Sequence, residues 1–153
     1  FVRTNIELAD HFFEQNEVDE IWLTFPDPQM KKVRKRLTAT NFMALYRRFL
    51  KPEGLIHLKT DSSFQYTYTL EMAKNNGFTL IENTSNLYGE GYTGEVLSIR
   101  THYEQQWLDR GIDIKYLQFK LHSKPLIEPD IEIEFDTYRS YHRDKRTPKI
   151  AGK

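Results

Sequence analysis

Residues 19–28, "DEIWLTFPDP", decide the fold class. Ile21, Trp22, Leu23 and Phe25 make a nearly continuous apolar run, the pattern of a strand covered on both faces; a half-solvated strand would alternate. Pro26 and Pro28 end the run, because neither has an N–H to give to a ladder. Between them Asp27 is held with little backbone freedom. Lys31, Lys32, Arg34, Lys35 and Arg36 follow at once. A buried strand thus delivers a stiff carboxylate to the edge of a cationic segment.

Working outward, "FVRTN" (1–5) is a strand candidate, and "IELADHFFEQN" places Ile6, Leu8, Ala9, Phe12 and Phe13 on one helical face. "TATNFMALYRRFLK" (38–51) has Phe42, Leu45, Tyr46 and Phe49 at helical spacing, with Thr38 or Thr40 as N-cap, and "PEG" (52–54) stops it. "LIHLKTD" (55–61) is the next strand, with His57 expected as a packed histidine. A helix follows, capped by Ser62 or Asp61 and closed by Gly77, then the strand "FTLIENT" (78–84). "SNLYGEGYTGEVLSIR" (85–100) carries three glycines and no period, which predicts a mobile loop. "THYEQQWLDRG" (101–111) predicts a short helix with Thr101 and Glu104 in capping-box positions, and "IDIKYLQFKL" (112–121) an outer strand. Beyond it come the period-2 stretch "IEIEFD" and a basic tail.

Strands alternating with helices predict an α/β protein with a mostly parallel sheet, whose ligands sit outside the carboxyl ends of the strands. Asp27 and Asp61 stand at two such ends, and Asn5 is placed on the same rim. Each feature also has a plainer meaning. Asp27 suits a proline-bounded turn, residues 31–36 a solvated charged face, and Asp61 with Lys59 a helix cap beside a surface cation.

Composition narrows the classes. A chain of 153 residues with 39% hydrophobic content can bury a core as one domain. Twenty-two basic residues balance twenty-two acidic ones. Their distribution is uneven: residues 29–51 hold eight Lys or Arg and no acid, and 128–137 five acids and no base. Such asymmetry lets one face of a neutral protein hold a polyanion. The absence of cysteine excludes disulfides and thiolate metal sites. The scattered histidines form no spaced ligand cluster, and no G-x-S-x-G elbow marks a serine hydrolase. No apolar run approaches a membrane span, so the expectation is a soluble cytoplasmic protein. The first residue is Phe1, inside an apolar stretch, which predicts a piece of a longer protein.

Taken jointly, "FPDP" with a lysine four residues after the acid, the basic run, "LKTD" ending the next strand, and T-x-x-E before the last strand resemble the TrmB family. These are bacterial tRNA (guanine-N7-)-methyltransferases, and the resemblance covers roughly residues 1–121. It implies a Rossmann-like class I methyltransferase fold, S-adenosyl-L-methionine as cofactor, and tRNA as partner, methylated at N7 of guanine 46 in the variable loop. It further implies Asp27 as the active-site acid beside the cofactor, Asn5 as a second cofactor contact, and Lys31, Asp61 and Thr101, His102, Tyr103 and Glu104 as substrate contacts. Lys32, Arg34, Lys35 and Arg36 would contact RNA. Monomer and homodimer both stay open.

The chain departs from the family pattern at Gln29, where Trp or His is usual, and its basic stretch is about two residues shorter. The glycine-rich turn and the ribose-binding acid of class I enzymes do not precede Phe1. Residues 1–121 therefore read as the carboxyl-terminal portion of the methyltransferase domain, incomplete at its N-terminus and inactive alone, and 122–153 as a charged extension. The competing class is a non-catalytic RNA-binding domain on the same fold.

Overall fold

β2 (Leu50–Thr60) is the spine of a four-stranded sheet ordered β1-β2-β4-β3, with β1 at Val18–Thr24, β3 at Thr79–Thr84 and β4 at Lys115–Lys120. The structure, a computed structural model, describes residues 1–91, 94–122 and 124–138; the basic tail from Arg139 onward lies outside the described residues. β1 runs parallel to β2, from Val18 opposite Leu50 to Thr24 opposite Lys59. The register slips between Val18 and Glu20, where β2 takes up Pro52, Glu53 and Gly54. A Cβ on Gly54 would lie 2.6 Å from Leu50 Cγ and 2.8 Å from Lys51 O, so this irregularity needs glycine.

The connections place the helices. α1 (Thr40–Tyr46) joins β1 to β2, and α2 (Ser63–Asn75) joins β2 to β3. α1 is shorter than the periodicity predicts because Phe49 and Leu50, both 3% exposed, already turn into β2. α2 starts at its Ser62 cap, whose Oγ accepts from Gln65 N at 2.9 Å. It closes on Gly77 at φ +63°, with Phe78 N donating to Ala73 O and Gly77 N to Lys74 O, the paired bonds of a Schellman stop.

Alternation along the strands sorts the core into two clusters. Leu23, Ile56, Leu58, Leu117 and Phe119 pack with Met43 and Tyr46 of α1 and Met72 and Ala73 of α2. The neighbouring positions Trp22 and Tyr116 pack with Leu87, Ile114 and Trp107 of α4 (His102–Leu108). Both faces are covered, as the nearly continuous apolar run at 21–25 requires. No helix among the described residues is long and apolar enough to cross a membrane.

Several expectations need correction. The sheet is α/β, but only one of its three ladders is parallel, because β4 inserts antiparallel between β2 and β3. β4 is accordingly an interior strand, not an outer one; its alternation reflects Gln118 and Lys120, half-buried between the buried Leu117 and Phe119, not an open face. Residues 1–5 form no strand, since β1 pairs with β2 alone among the described residues and an extended segment without a ladder partner gains nothing. Residues 6–11 form a 3-10 helix. The glycine-bearing loop is partly core: Leu87 is fully buried, its N–H donates to Ile114 O at 2.8 Å, and a short helix, α3 (Glu95–Ser98), follows.

Residues 124–138 form no helix or strand, yet they lie against the sheet's helices as a strap, with Leu126 and Ile133 packed on the larger core cluster. "IEIEFD" makes no ladder. Its polar groups go to helix ends instead: Glu128 accepts from Thr40 N and Oγ1 at the start of α1, and Asp136 accepts from Ser62 Oγ and Phe64 N at the start of α2.

His57 is packed as expected, 3% exposed, its ring stacked on Trp22 at 3.9 Å and Nδ1 2.8 Å from the Tyr116 hydroxyl. Burial holds its pKa below the ordinary value, against the pull of Glu20. A depressed histidine pKa means the unfolded chain binds the proton first, so this contribution to stability is complete above pH of about 6.5 and lost as pH falls. Urea unfolding between pH 7.5 and 5 should show stability declining below about 6.5, with a shallower decline in His57→Gln.

Candidate active site

The carboxyl ends of β1 and β2 build one rim. Phe25 leaves β1 at φ +51°, its N–H donating to Lys59 O at 2.7 Å, and this hook turns the chain into Pro26–Asp27–Pro28, in which both prolines are buried and Asp27 is exposed. Gln29 also sits at positive φ, +45°, with its N–H donating to Asp27 Oδ1 at 3.1 Å. Two non-glycine residues in this region cost on the order of 1–3 kcal/mol each, so the surrounding contacts must over-determine the turn. Arg36 supplies them. It is 2% exposed, and its guanidinium donates to Pro28 O at 3.1 Å, Gln29 O at 3.3 Å and Met30 O at 3.5 Å. The same guanidinium lies 3.9 Å from the Tyr68 ring centroid and 4.7 Å from that of Phe64. Asp27 itself is exposed.

Behind Asp27 lies a buried ion pair. Lys59 Nζ is 2.9 Å from Glu104 Oε1, with the two side chains 7% and 0% exposed. Lys59 also donates to Tyr88 Oη at 3.0 Å and to the carbonyls of Leu97 and Ile99 at 3.3 and 3.2 Å. Tyr88 donates to Glu104 as well; burial first, then that carboxylate, pushes its phenol pKa far up, so it remains a donor. α4 is oriented by its capping box, Glu104 N donating to Thr101 Oγ1 and Thr101 N to Glu104 Oε2. Tyr103 packs edge-on against Phe25 at 5.7 Å, which ties the T-x-x-E helix to the turn that carries Asp27.

Asp61 lies deeper, fully buried, while Ser62 caps α2. The Tyr138 hydroxyl is 2.9 Å from both Asp61 Oδ2 and Asp61 O, and Lys115 Nζ donates to Asp61 O at 3.0 Å. Burial holds the Lys115 pKa below its ordinary value, opposed by Asp113, Asp61 and Asp136. The Tyr138 ring meets Trp107 of α4 edge-on at 5.4 Å.

The structure therefore gathers Asp27, Asp61 and the Thr101–Glu104 element at one rim, with Thr101, His102 and Tyr103 exposed on it. Lys31, Lys32, Arg34 and Lys35 are exposed beside Asp27. Arg36, grouped with them in the sequence, is not on that surface: the 3-10 turn Val33–Lys35 rotates it inward. Asn5 does not end a strand; its Oδ1 accepts from Glu7 N and its Nδ2 donates to Glu7. Sequence reasoning missed Lys59, Tyr88, Tyr138 and the inward turn of Arg36. For Lys59 a signal existed, since a lysine within a strand as apolar as "LIHLKT" requires a buried carboxylate partner.

Residues 1–117 match the family described as "Putative methyltransferase". The chain is 57% identical to the tRNA (guanine-N(7)-)-methyltransferase of Bacteroides thetaiotaomicron, over 96% of the chain and 59% of that protein. Identity to the Porphyromonas gingivalis protein of the same name is 56%, over 99% of the chain and 64% of the relative. For Christiangramia forsetii it is 44%, over 79% and 55%. The chain thus spans about three fifths of the length of the relatives it matches most fully.

Removing one partner of the buried pair leaves the other uncompensated, a loss of about 3–5 kcal/mol. Lys59→Met should lose that much in urea unfolding, and adding Glu104→Gln, which keeps the capping box, should recover most of it. Additive losses would show that the pair is not what holds α4 to β2.

Proposed function

Because the chain belongs to the TrmB family of methyltransferases, we propose that it forms the acceptor side of a tRNA (guanine-N7-)-methyltransferase. The enzyme transfers a methyl group from S-adenosyl-L-methionine to N7 of guanine 46 in the tRNA variable loop, and it works in the cytoplasm with tRNA. The observation that carries this is the rim itself: a solvent-facing carboxylate on a rigid turn, next to four exposed cations.

A guanine N7 offers an in-plane lone pair and no proton, so methylation there needs no general base. Positive charge arrives on the purine as the methyl does. A carboxylate already fixed beside the ring lowers the energy of that transition state without reorganising at the moment of reaction. Asp27 takes this role, orienting the purine and countering its charge. Lys31, Lys32, Arg34 and Lys35 hold phosphates, a task that needs exposed point charges and tolerates mobile side chains. Asp61 and Glu104 lie below the rim with Tyr138 and Tyr88 hydroxyls on them. A guanine that gives its N1–H or amino hydrogens to either carboxylate takes the place of a tyrosine hydroxyl.

The described residues fit the acceptor side better than the donor side. A nucleoside sulfonium calls for a glycine turn that admits it to the backbone and an acid for its ribose hydroxyls. No described glycine directly follows β1 or β2, and Asn5 is engaged with Glu7. Asp27 is the group on this rim that would meet the methyl donor.

Mass spectrometry of tRNA from a strain lacking the gene should show loss of N7-methylguanosine, restored by the full-length wild type and not by Asp27→Asn; persistence of the nucleoside overturns the proposal. Paired neutralisation of Lys32 and Lys35 should weaken tRNA binding and lower the salt slope by about one per cation removed. Asp27→Asn should leave that slope unchanged.

A further inference from the structure

Arg36 is the one member of the cationic run that the surface does not present. Its nearest groups are backbone carbonyls and rings, not solvent. Nε and Nη2 reach three successive carbonyls, those of Pro28, Gln29 and Met30, a set that a planar fork can satisfy and a lysine ammonium cannot span. The guanidinium face lies on Tyr68 and beside Phe64, both from α2. The Tyr68 hydroxyl donates to Glu128, which also receives Thr40 N and Oγ1. A continuous path therefore runs from the strap through Glu128 and Tyr68 to Arg36, on to the Gln29 carbonyl, and from the Gln29 amide to Asp27 Oδ1.

Gln29 is the sensitive link. At φ +45° it occupies a region that a side chain disfavours, and it does so while its amide holds the Asp27 carboxylate. Once the Arg36 fork is lost, the peptide relaxes and Asp27 loses its amide donor. We infer that Arg36 is a positioning residue for Asp27, locking the Pro28–Met30 turn from behind with Glu128 and Tyr68 as its seat, and is not a phosphate contact. This rests on the role proposed for Asp27. It separates two tasks within a run of five basic residues: four hold the polyanion, and the fifth sets the geometry of the reacting end.

The test uses the full-length protein with tRNA and S-adenosyl-L-methionine, well below the melting temperature. Arg36→Lys keeps the charge but not the fork, so kcat should fall about 100-fold, the scale of a misplacement near 1 Å. KM for tRNA and the salt slope of binding should stay at wild-type values. In an Asp27→Asn background the same substitution should cost kcat less than about 3-fold, because the group it positions is gone. A general structural role would instead give the same loss in both backgrounds. If Arg36→Lys does not fold, Glu128→Gln, which leaves every cation in place, should lower kcat severalfold with the salt slope unmoved. A wild-type kcat in Arg36→Lys, or a reduced salt slope in Arg36→Gln, overturns the inference. Full turnover in Asp27→Asn alone overturns the role of Asp27 instead, so the two failures are distinguishable.

Discussion

A lysine and a glutamate withdrawn from water, Lys59 and Glu104, carry the constraint on which the rim depends. Burying two charges is tolerable only if each finds the other and its remaining hydrogen-bonding capacity is filled. Lys59 is fixed by the β2 ladder, so Glu104 must come to it, and with Glu104 comes the whole of α4. Tyr88 and the carbonyls of Leu97 and Ile99 complete the donor and acceptor count, which draws in the loop before α4. Tyr103 then reaches Phe25 and Trp107 reaches Tyr138. Segments distant in sequence are collected at one edge because a single ion pair cannot be left incomplete.

Much of this layout was legible in the residues. The nearly continuous apolar run at 21–25, the proline punctuation and the Thr101–Glu104 spacing each express local rules, and local rules survive folding. The direction of β4 is not local. It depends on which gap in the sheet the chain returns to, and neither alternation nor propensity encodes that. Arg36 failed for a related reason. A run of cations looks uniform as letters, but the 3-10 turn at Val33–Lys35 changes the direction of the chain and leaves one of the five cations, Arg36, on the inside. Lys59 stood in plain view, yet its carboxylate partner lies forty-five positions away on another element.

The strap shows how a segment without secondary structure can still specify it. The N-cap residue of α1 is Ala39, which has no polar side chain to cap with, and Glu128 provides the missing acceptor; at α2, Asp136 reinforces the local Ser62 cap. Acidic side chains at helix N-termini also suit the helix dipole. The acidity of residues 128–137 thus has a use inside the fold, apart from any effect on a polyanion nearby.

That arrangement has a kinetic meaning. A seven-residue helix is too short to persist on its own, and the acceptor that completes α1 lies 88 positions further along the chain. Loop closure over such a span is slow relative to local structure, so the cap of α1 is completed only once the strap has docked. The four strands all precede the strap in the chain, so the residues of the sheet come before those that complete α1.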